Sequence, residues 1–199
     1  MLDIVAVLFI GYLLGSIPFG YLAGKLSGKD IRKHGSGNIG TTNALRLLGV
    51  GPALVVFALD IAKGFFACFI AASMVEMPVG QLTVAVAGLA AIAGHNWSVF
   101  LGFRGGKGAA TTLGVFLYLA PGVLPIALST TALAVILTRY MSLGSLMGTA
   151  VGAMAALAMG YPLPYQLIAV VAAVFSFWRH RGNIERLQRG EERRIGEKR

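Results

Sequence analysis

A glycine-rich stretch at residues 35–43 carries residue types that bind oxyanions. Glycines at 35, 37 and 40 let the backbone turn successive N–H groups into one concavity, and hydroxyl and amide side chains add neutral donors. If a helix begins near Thr41 or Thr42, its positive end faces the same place, with Arg46 about one turn further on. The pattern predicts an anion site, and a flexible surface turn is the alternative. The candidate contacts are Gly35, Ser36, Gly37, Asn38, Thr41, Thr42, Asn43 and Arg46.

A second basic stretch, Arg104-Gly105-Gly106-Lys107-Gly108, resembles a phosphate-binding loop. It fails the Walker A pattern, because position 101 is Leu instead of Gly and Gly108 replaces the hydroxyl residue that holds magnesium. An ATPase is therefore disfavoured. Free backbone N–H groups, a lysine and a helix beginning at about Ala109 nevertheless suit a phosphate. His95 precedes this loop and is expected either to contact the ligand or to anchor the end of a helix.

Two further polar segments, Arg139–Ser142 and Arg179–Leu187, contain candidate contacts. Ser142 offers a hydroxyl, and Asn183 can bond a substrate oxygen. Because an unperturbed histidine titrates near neutral pH, His180 is a candidate proton acceptor. Arginines beside apolar segments also act as orientation signals during membrane insertion, which is the alternative for these segments.

Asp60 and Lys63 stand three residues apart inside a long apolar stretch, so a helix places them on one face as an ion pair. Charges inside a membrane span usually mark function. A structural pair explains them equally well, and Lys63 could instead extend towards the interface.

Familiar catalytic groups are missing from the sequence. Ser36 lacks a Gly-x-Ser-x-Gly elbow, the histidines form no metal-ligand pattern, and no His-x4-Asp motif begins at His34 or His95. Cys68 is the single cysteine, which excludes a disulfide within the chain. An already activated substrate, such as an acyl phosphate, needs no protein nucleophile, because positioning and charge stabilisation suffice. The sequence therefore predicts neither a metal nor a cofactor.

The elements that must position these residues are apolar segments long enough to cross a bilayer. Of the 199 residues, 56% are hydrophobic and 13% are charged, which excludes an ordinary water-soluble domain. Residues 121–122 separate the fourth and fifth segments, which could instead form one kinked or re-entrant element. We expect an all-α membrane protein with one polytopic domain, 1–199, and a short basic tail at about 180–199. The predicted transmembrane helices, seven in all, are roughly 4–26, 52–75, 79–100, 109–120, 122–137, 142–160 and 163–178.

Lysine and arginine are confined to alternate connections between these helices. The connections around Glu76-Met77-Pro78, 121–122 and 160–164 contain neither residue type. Because basic loops stay in the cytoplasm, the N-terminus is predicted outside and the C-terminus and glycine-rich loops inside. The net charge of +9 could indicate nucleic acid, but no soluble module remains to bind it. Anionic lipid or a phosphorylated substrate fits better.

Four blocks together resemble the bacterial integral-membrane glycerol-3-phosphate acyltransferases that use acyl phosphate as the donor. They are Gly15–Gly20, Asp30–Arg46, His95–Gly108 and His180–Leu187. The resemblance implies transfer of a fatty acyl group from acyl phosphate to the sn-1 hydroxyl of glycerol 3-phosphate, giving lysophosphatidic acid and phosphate for phospholipid synthesis. It also implies a location in the bacterial inner membrane, among membrane lipids, with no metal, acyl-carrier thioester or obligatory protein partner.

For this reaction we hypothesise the following roles for the candidate residues. Lys107 with the Gly105–Gly108 loop and the 41–43 segment would bind the acyl-phosphate head and stabilise developing charge. The residues expected to orient glycerol 3-phosphate are Ser36, Asn38, Arg46, Ser142, His180 and Asn183. Of the whole set, Lys107, Ser36, His180 and Asn183 are expected to be catalytic, and Gly35, Gly37, His95 and Arg104 complete the binding set. The base is either His180 or the phosphate of the substrate.

Two rival functions fit the same helices and positive loops. A transporter or channel for an anionic solute explains both, but it does not explain basic sites on one face only, with no inverted repeat. A membrane-anchored protein that binds lipid phosphate without catalysis is the third interpretation.

Overall fold

The computed structural model describes residues 2–76 and 80–197, with side chains from residue 4 onward. Met77 and Pro78 of a predicted outer connection lie outside the described residues, and so do Lys198 and Arg199 of the basic tail. Every regular element within the described ranges is helical, which agrees with the predicted fold class. Short 3₁₀ turns span Ile31–Lys33 and Val99–Leu101. The α-helices are α1 (Leu2–Ser16), α2 (Phe19–Leu26), α3 (Thr41–Leu48), α4 (Val50–Ser73), α5 (Gln81–Asn96), α6 (Ala109–Leu119), α7 (Val123–Thr138), α8 (Met141–Ala158), α9 (Leu163–Arg179) and α10 (Arg181–Gln188).

The apolar helices coincide closely with the spans predicted from the sequence. Within the described ranges, four segments are long and apolar enough to cross a membrane: Ile4–Leu26, Val50–Ser73, Gln81–Leu101 and Met141–Ala158. The helices α6, α7 and α9 are apolar but shorter. The fourth and fifth predicted spans form two helices, α6 and α7, with a break at residues 120–122. The number of membrane crossings stays a prediction.

The first apolar segment differs from its prediction, because it breaks at Ile17-Pro18 into α1 and α2. Proline has no N–H to continue the helical ladder. The carbonyl oxygen of Ser16 instead accepts a 2.5 Å hydrogen bond from Oγ of Ser98, and that of Ile17 accepts one of 3.0 Å from Nζ of Lys63. Side chains from α4 and from the segment after α5 thus stabilise the break.

The chain forms two compact units, Met1–Leu119 and Ala120–Arg199. In the first unit, α1 packs on α5, while α4 packs on α5 and α6. A Cβ atom on Gly15 would overlap the backbone of Ala91, so α1 and α5 touch through glycine as their small residues predict.

The second unit is built from α7, α8 and α9, with α8 packed against both neighbours and α10 against α9. Gly144 and Gly148 bring α8 against Thr131 of α7. The segment predicted as a basic tail continues as α10 and then returns to the connection between α7 and α8. There, N–H of Ile195 donates to the carbonyl of Arg139 at 2.8 Å, and Nη2 of Arg139 donates to the carbonyl of Ile195 at 2.7 Å.

Candidate active site

Asn43 organises the first glycine-rich loop from the first turn of α3. Its Oδ1 accepts a 3.0 Å hydrogen bond from the backbone N–H of Ser36. Its Nδ2 donates to the carbonyls of Ile31 and Asn38, both at 2.9 Å, and to that of His34 at 3.3 Å. Only 1% of Asn43 is exposed. These bonds assign the Asn43 side chain to shaping the loop around it.

Two turns within the loop present the polar side chains. Oγ of Ser36 accepts a 3.4 Å hydrogen bond from the N–H of Asn38, and Oδ1 of Asn38 accepts one of 2.8 Å from the N–H of Gly40. Gly35 has φ +62°, a region that favours glycine, and a Cβ there would overlap Oδ1 of Asn43. The loop conformation therefore requires glycine beside Asn43.

The helix predicted after the loop is confirmed, since α3 begins at Thr41. The first N–H groups of an α-helix have no partner within the helix, and its positive end lies here. Thr41 and Thr42 are half-buried in this first turn, and Arg46 is exposed on α3.

An ion pair fixes the entry to this loop. Asp30 accepts hydrogen bonds from Nε of Arg32 at 2.9 Å and from Nη2 at 2.7 Å. These bonds hold the pKa of the Asp30 carboxyl well below its usual range. The Arg32 guanidinium also lies 4.3 Å from the ring centroid of Tyr21, so the arginine is engaged locally.

The second loop differs from its prediction in one respect. The N–H of Gly106 donates to the carbonyl of His95 at 2.9 Å, and the N–H of Gly105 donates to the carbonyl of Asn96 at 3.2 Å. The expectation that these two N–H groups face an anion is therefore wrong, because they close the C-terminus of α5. The predicted helix after the loop is confirmed and begins at Ala109.

The side chains of the second loop differ in exposure. Arg104 is exposed, and Lys107 is half-buried directly before Gly108, which has φ +79°. A Cβ on Gly108 would lie 2.8 Å from Oδ1 of Asn96, so this loop also requires glycine at a close approach. Asn96 itself is fully buried.

A buried hydrophobic cluster connects the segments that carry the two loops of the first unit. Ile31 and Ile39 of the first loop form a buried cluster with Leu101, which precedes the second loop. This shared core therefore joins the segment of the first loop to the turn that leads into the second loop.

A buried polar cluster underlies the second loop. Nζ of Lys63 lies 2.8 Å from Oδ1 of Asp60, which confirms the predicted pair, and 2.9 Å from Nδ1 of His95. His95 is 4% exposed. A Cβ on Gly106 would overlap Nε2 of His95, so the histidine ring lies directly against the loop.

In the second unit, a carboxylate joins two of the predicted site residues. Oε1 of Glu192 accepts hydrogen bonds from Nδ2 of Asn183 at 2.6 Å and from Oγ of Ser142 at 2.8 Å. Oε2 accepts one of 2.8 Å from Nε of Arg186. Burial by itself raises the pKa of Glu192, but these three hydrogen bonds outweigh it and hold the pKa below its ordinary value.

His180 lies between α9 and α10 and is 3% exposed. Its Nδ1 lies 2.8 Å from the carbonyl oxygen of Ser176. A carbonyl can only accept, so Nδ1 carries the proton. In the neutral ring the lone pair is then on Nε2.

Comparison with known proteins decides between the functions that this geometry allows. Residues 5–190 match the family described as glycerol-3-phosphate acyltransferase. The glycerol-3-phosphate acyltransferase of Halalkalibacterium halodurans is 46% identical over 198 residues, which cover 96% of this chain and 96% of the relative. The chain belongs to the glycerol-3-phosphate acyltransferase family. It is thus an integral membrane acyltransferase of phospholipid synthesis.

Solved structures of a family member have the same fold. The chain is similar to the crystal structure of PlsY (YgiH), an integral membrane glycerol 3-phosphate acyltransferase, in its glycerol 3-phosphate form. The TM-score is 0.92 at 38% sequence identity, covering 97% of this chain and 96% of that one. The lysophosphatidic acid form of PlsY gives a TM-score of 0.90 at the same identity, covering 97% and 95%.

Some residues that contact the predicted site residues were not themselves predicted from the motifs. Glu192, which contacts Ser142 and Asn183, lies beyond the matched range and carries no motif signal. Asn96 lies within the His95–Gly108 block but was not predicted as a site residue, although its side chain lies against Gly108. Asp60 and Lys63 had a clear signal, namely charges in an apolar stretch, but their contact with His95 joins residues 32 positions apart.

Proposed function

We propose that this chain transfers a fatty acyl group from acyl phosphate to the sn-1 hydroxyl of glycerol 3-phosphate. The products are lysophosphatidic acid and phosphate. The observation that carries the proposal is the buried cluster of Ile31, Ile39 and Leu101, which joins the segments that carry the two glycine-rich loops. The glycerol 3-phosphate and lysophosphatidic acid forms of the similar PlsY structures support the acceptor and the product.

The reaction needs no nucleophile from the protein. The hydroxyl oxygen of glycerol 3-phosphate attacks the acyl carbonyl carbon and forms the ester bond, while the bond from that carbon to the phosphate oxygen breaks. Phosphate departs with the bonding electrons, and the hydroxyl proton passes to a base. Catalysis then consists of positioning and of stabilising charge on the phosphate and carbonyl oxygens.

Lys107, the N–H end of α3 and the hydroxyls of Thr41 and Thr42 supply the groups that stabilise this charge. Because the N–H groups of Gly105 and Gly106 close α5, we assign those glycines to shaping the loop around Lys107. Ser36, Asn38 and Arg46 of the first loop are the proposed contacts to glycerol 3-phosphate. Asn43 acts by shaping the loop that presents Ser36.

The proposed contacts to glycerol 3-phosphate in the second unit are Ser142, His180 and Asn183, and His180 is also the candidate side chain that accepts the hydroxyl proton. His180 with Nδ1 protonated has its lone pair on Nε2, which suits a general base. The phosphate of the substrate, with a second pKa of about 6, is the other candidate base.

Membrane placement is part of the proposal. Seven spans, an outer N-terminus and a cytoplasmic C-terminus follow from basic residues confined to alternate connections. In the bacterial inner membrane this orientation gives both phosphorylated substrates access from the cytoplasm, while the acyl chain remains in lipid. Residues 1–199 are proposed to be one polytopic membrane domain.

In the test, the purified protein is incubated with palmitoyl phosphate and glycerol 3-phosphate, and the release of lysophosphatidic acid and phosphate is measured. We expect both products in equal amounts. A parallel reaction with palmitoyl-CoA tests the donor: acyl transfer from the thioester but not from the acyl phosphate would overturn the proposed donor. No lysophosphatidic acid from either donor, together with uptake of glycerol 3-phosphate by proteoliposomes, would favour the transporter.

A further inference from the structure

Lys63 is the centre of a buried cluster to which the reaction scheme assigns no role. Its Nζ lies 2.8 Å from Oδ1 of Asp60, 2.9 Å from Nδ1 of His95 and 3.0 Å from the carbonyl oxygen of Ile17. An ammonium group has three N–H donors, so these acceptors can use all of them. Only 3% of the Lys63 side chain is exposed. Lys63 therefore joins α4 to the end of α5 and to the break between α1 and α2.

The contact with Lys63 determines which nitrogen of His95 carries the proton. The carboxylate of Asp60 stabilises the charged ammonium, which can only donate. Oδ1 of Asp60 lies 3.6 Å from Nδ1 of His95, beyond hydrogen-bond distance, whereas Nζ of Lys63 lies at 2.9 Å. Nδ1 of His95 is therefore the acceptor from Lys63, and the proton of the neutral ring is on Nε2. Nε2 is also the atom that lies against Gly106. The ion pair thus fixes both the orientation and the tautomer of the ring that supports the loop.

His95 contacts the second glycine-rich loop through both its side chain and its backbone. The ring lies against Gly106, and the carbonyl oxygen of His95 accepts a 2.9 Å hydrogen bond from the N–H of the same glycine. Lys107 is the next residue, so a shift at His95 moves Lys107. A misplacement of about 1 Å in a catalytic group can cost about 100-fold in rate.

We propose that Asp60 and Lys63 are positioning residues for acyl transfer, which hold His95 as its Nε2–H tautomer against Gly106 and thereby fix the place of Lys107. The proposal rests on the proposed function, because that function gives Lys107 its part in charge stabilisation. Asp60 neutralises and orients the ammonium group, and Lys63 orients the imidazole ring. Neither residue contacts a substrate in this scheme.

If the ion pair served stability alone, removal of both charges in a folded protein would leave kcat unchanged. Loss of one partner leaves an uncompensated buried charge, which is strongly destabilising. Replacement of both by apolar residues of similar volume is often neutral or stabilising. The double variant Asp60→Leu/Lys63→Met therefore separates folding from positioning.

The kinetic test compares this double variant with the wild-type protein, using palmitoyl phosphate and glycerol 3-phosphate. We expect a folded protein with a lowered Tm, because the carbonyl of Ile17 loses its donor although no unpaired charge remains. We expect kcat lowered at least about tenfold and KM for glycerol 3-phosphate changed less than about threefold. The control is Cys68→Ala, a buried change in the same helix. It should lower Tm through a small cavity and leave kcat unchanged. A folded double variant with wild-type kcat would overturn the proposal.

A second measurement does not depend on activity. The chain has three histidines, and ¹⁵N NMR of histidine-labelled protein distinguishes the two neutral tautomers. We expect a protonated Nε2 for His95 and a protonated Nδ1 for His180, with the exposed His34 assigned by His34→Gln. In the double variant the His95 signals should lose the single-tautomer pattern while those of His180 persist.

The two measurements separate failure of the inference from failure of the proposed function. A wild-type protein that turns over acyl phosphate but has Nδ1 of His95 protonated contradicts the positioning role and leaves the reaction intact. If acyl phosphate proves not to be the donor, the kinetic comparison is made with the donor that does react. If the double variant fails to fold, the ¹⁵N NMR spectrum of the wild-type protein tests the proposed tautomer of His95 on its own.

Discussion

Nδ2 of Asn183 donates a 2.6 Å hydrogen bond to Oε1 of Glu192. The same oxygen accepts a 2.8 Å hydrogen bond from the hydroxyl of Ser142. Two residues that the motifs suggested as substrate contacts are thus joined by a carboxylate from outside the motifs. Because Glu192 is 9% exposed and also bonds Arg186, it fixes the positions of both donors in the second unit.

Glu192 makes the stability of the protein sensitive to acid. Its folded-state pKa is held below the ordinary value of 4.5 by three hydrogen bonds that outweigh the effect of burial. The carboxylate therefore stabilises the fold fully above the unfolded pKa, and this contribution is lost as the pH falls through the folded pKa. We expect Tm in detergent to fall more between pH 5 and pH 3 for the wild type than for Glu192→Gln. An equal fall in Tm for the two proteins would contradict the assignment of this acid sensitivity to Glu192.

Asn43→Ala should destabilise the first loop. The change removes the acceptor of the Ser36 N–H and the donor to the carbonyls of Ile31 and Asn38. Leaving such groups without their partner costs about 1–3 kcal/mol, and kcat/KM should fall because Ser36 is no longer held. Chemical denaturation and steady-state kinetics measure the two effects. The control Ser73→Ala removes an exposed hydrogen bond to Ile70 and should change stability by less than about 0.5 kcal/mol.

Lys107→Ala should lower kcat/KM at least about tenfold, since removal of one charge-stabilising donor typically costs about 100-fold or more. The matched control is Lys33→Ala, which removes an exposed lysine near the first loop. If the effect at Lys107 comes from its position and not from local positive charge alone, Lys33→Ala should leave kcat/KM within about twofold of the wild type. Normal activity of the Lys107 variant would remove Lys107 from the mechanism.

His180→Gln tests the proton acceptor. With Nδ1 bonded to the carbonyl of Ser176, the lone pair on Nε2 can take the hydroxyl proton, and general base catalysis typically contributes about 100-fold or more. We expect kcat to fall by about that factor and the acidic limb of the pH–rate profile to change. His34→Gln is the matched control, because His34 is exposed. A raised KM with normal kcat would instead assign the proton to the substrate phosphate.

Local patterns sufficed to predict most of the helices and the starts of α3 and α6. Apolar runs of the length of a bilayer, followed by glycine and a polar turn, specify such elements from residues near one another in sequence. The same reasoning was wrong about Gly105 and Gly106, whose N–H groups bond the end of α5. It also missed the break at Pro18 within the first span, where acceptors are satisfied by Ser98 and Lys63.

The sequence alone determined the membrane class, the positions of the glycine-rich loops, the Asp60–Lys63 pair and, through the motifs together, the family resemblance. These properties depend on composition and on short spacing. Tertiary structure decided which donors meet which acceptors: Asn43 with the carbonyls of its own loop, His95 with Lys63 and Gly106, and Glu192 with Asn183 and Ser142. A buried polar group must find a partner wherever packing offers one, and for Lys63 that partner lies 32 residues away along the chain.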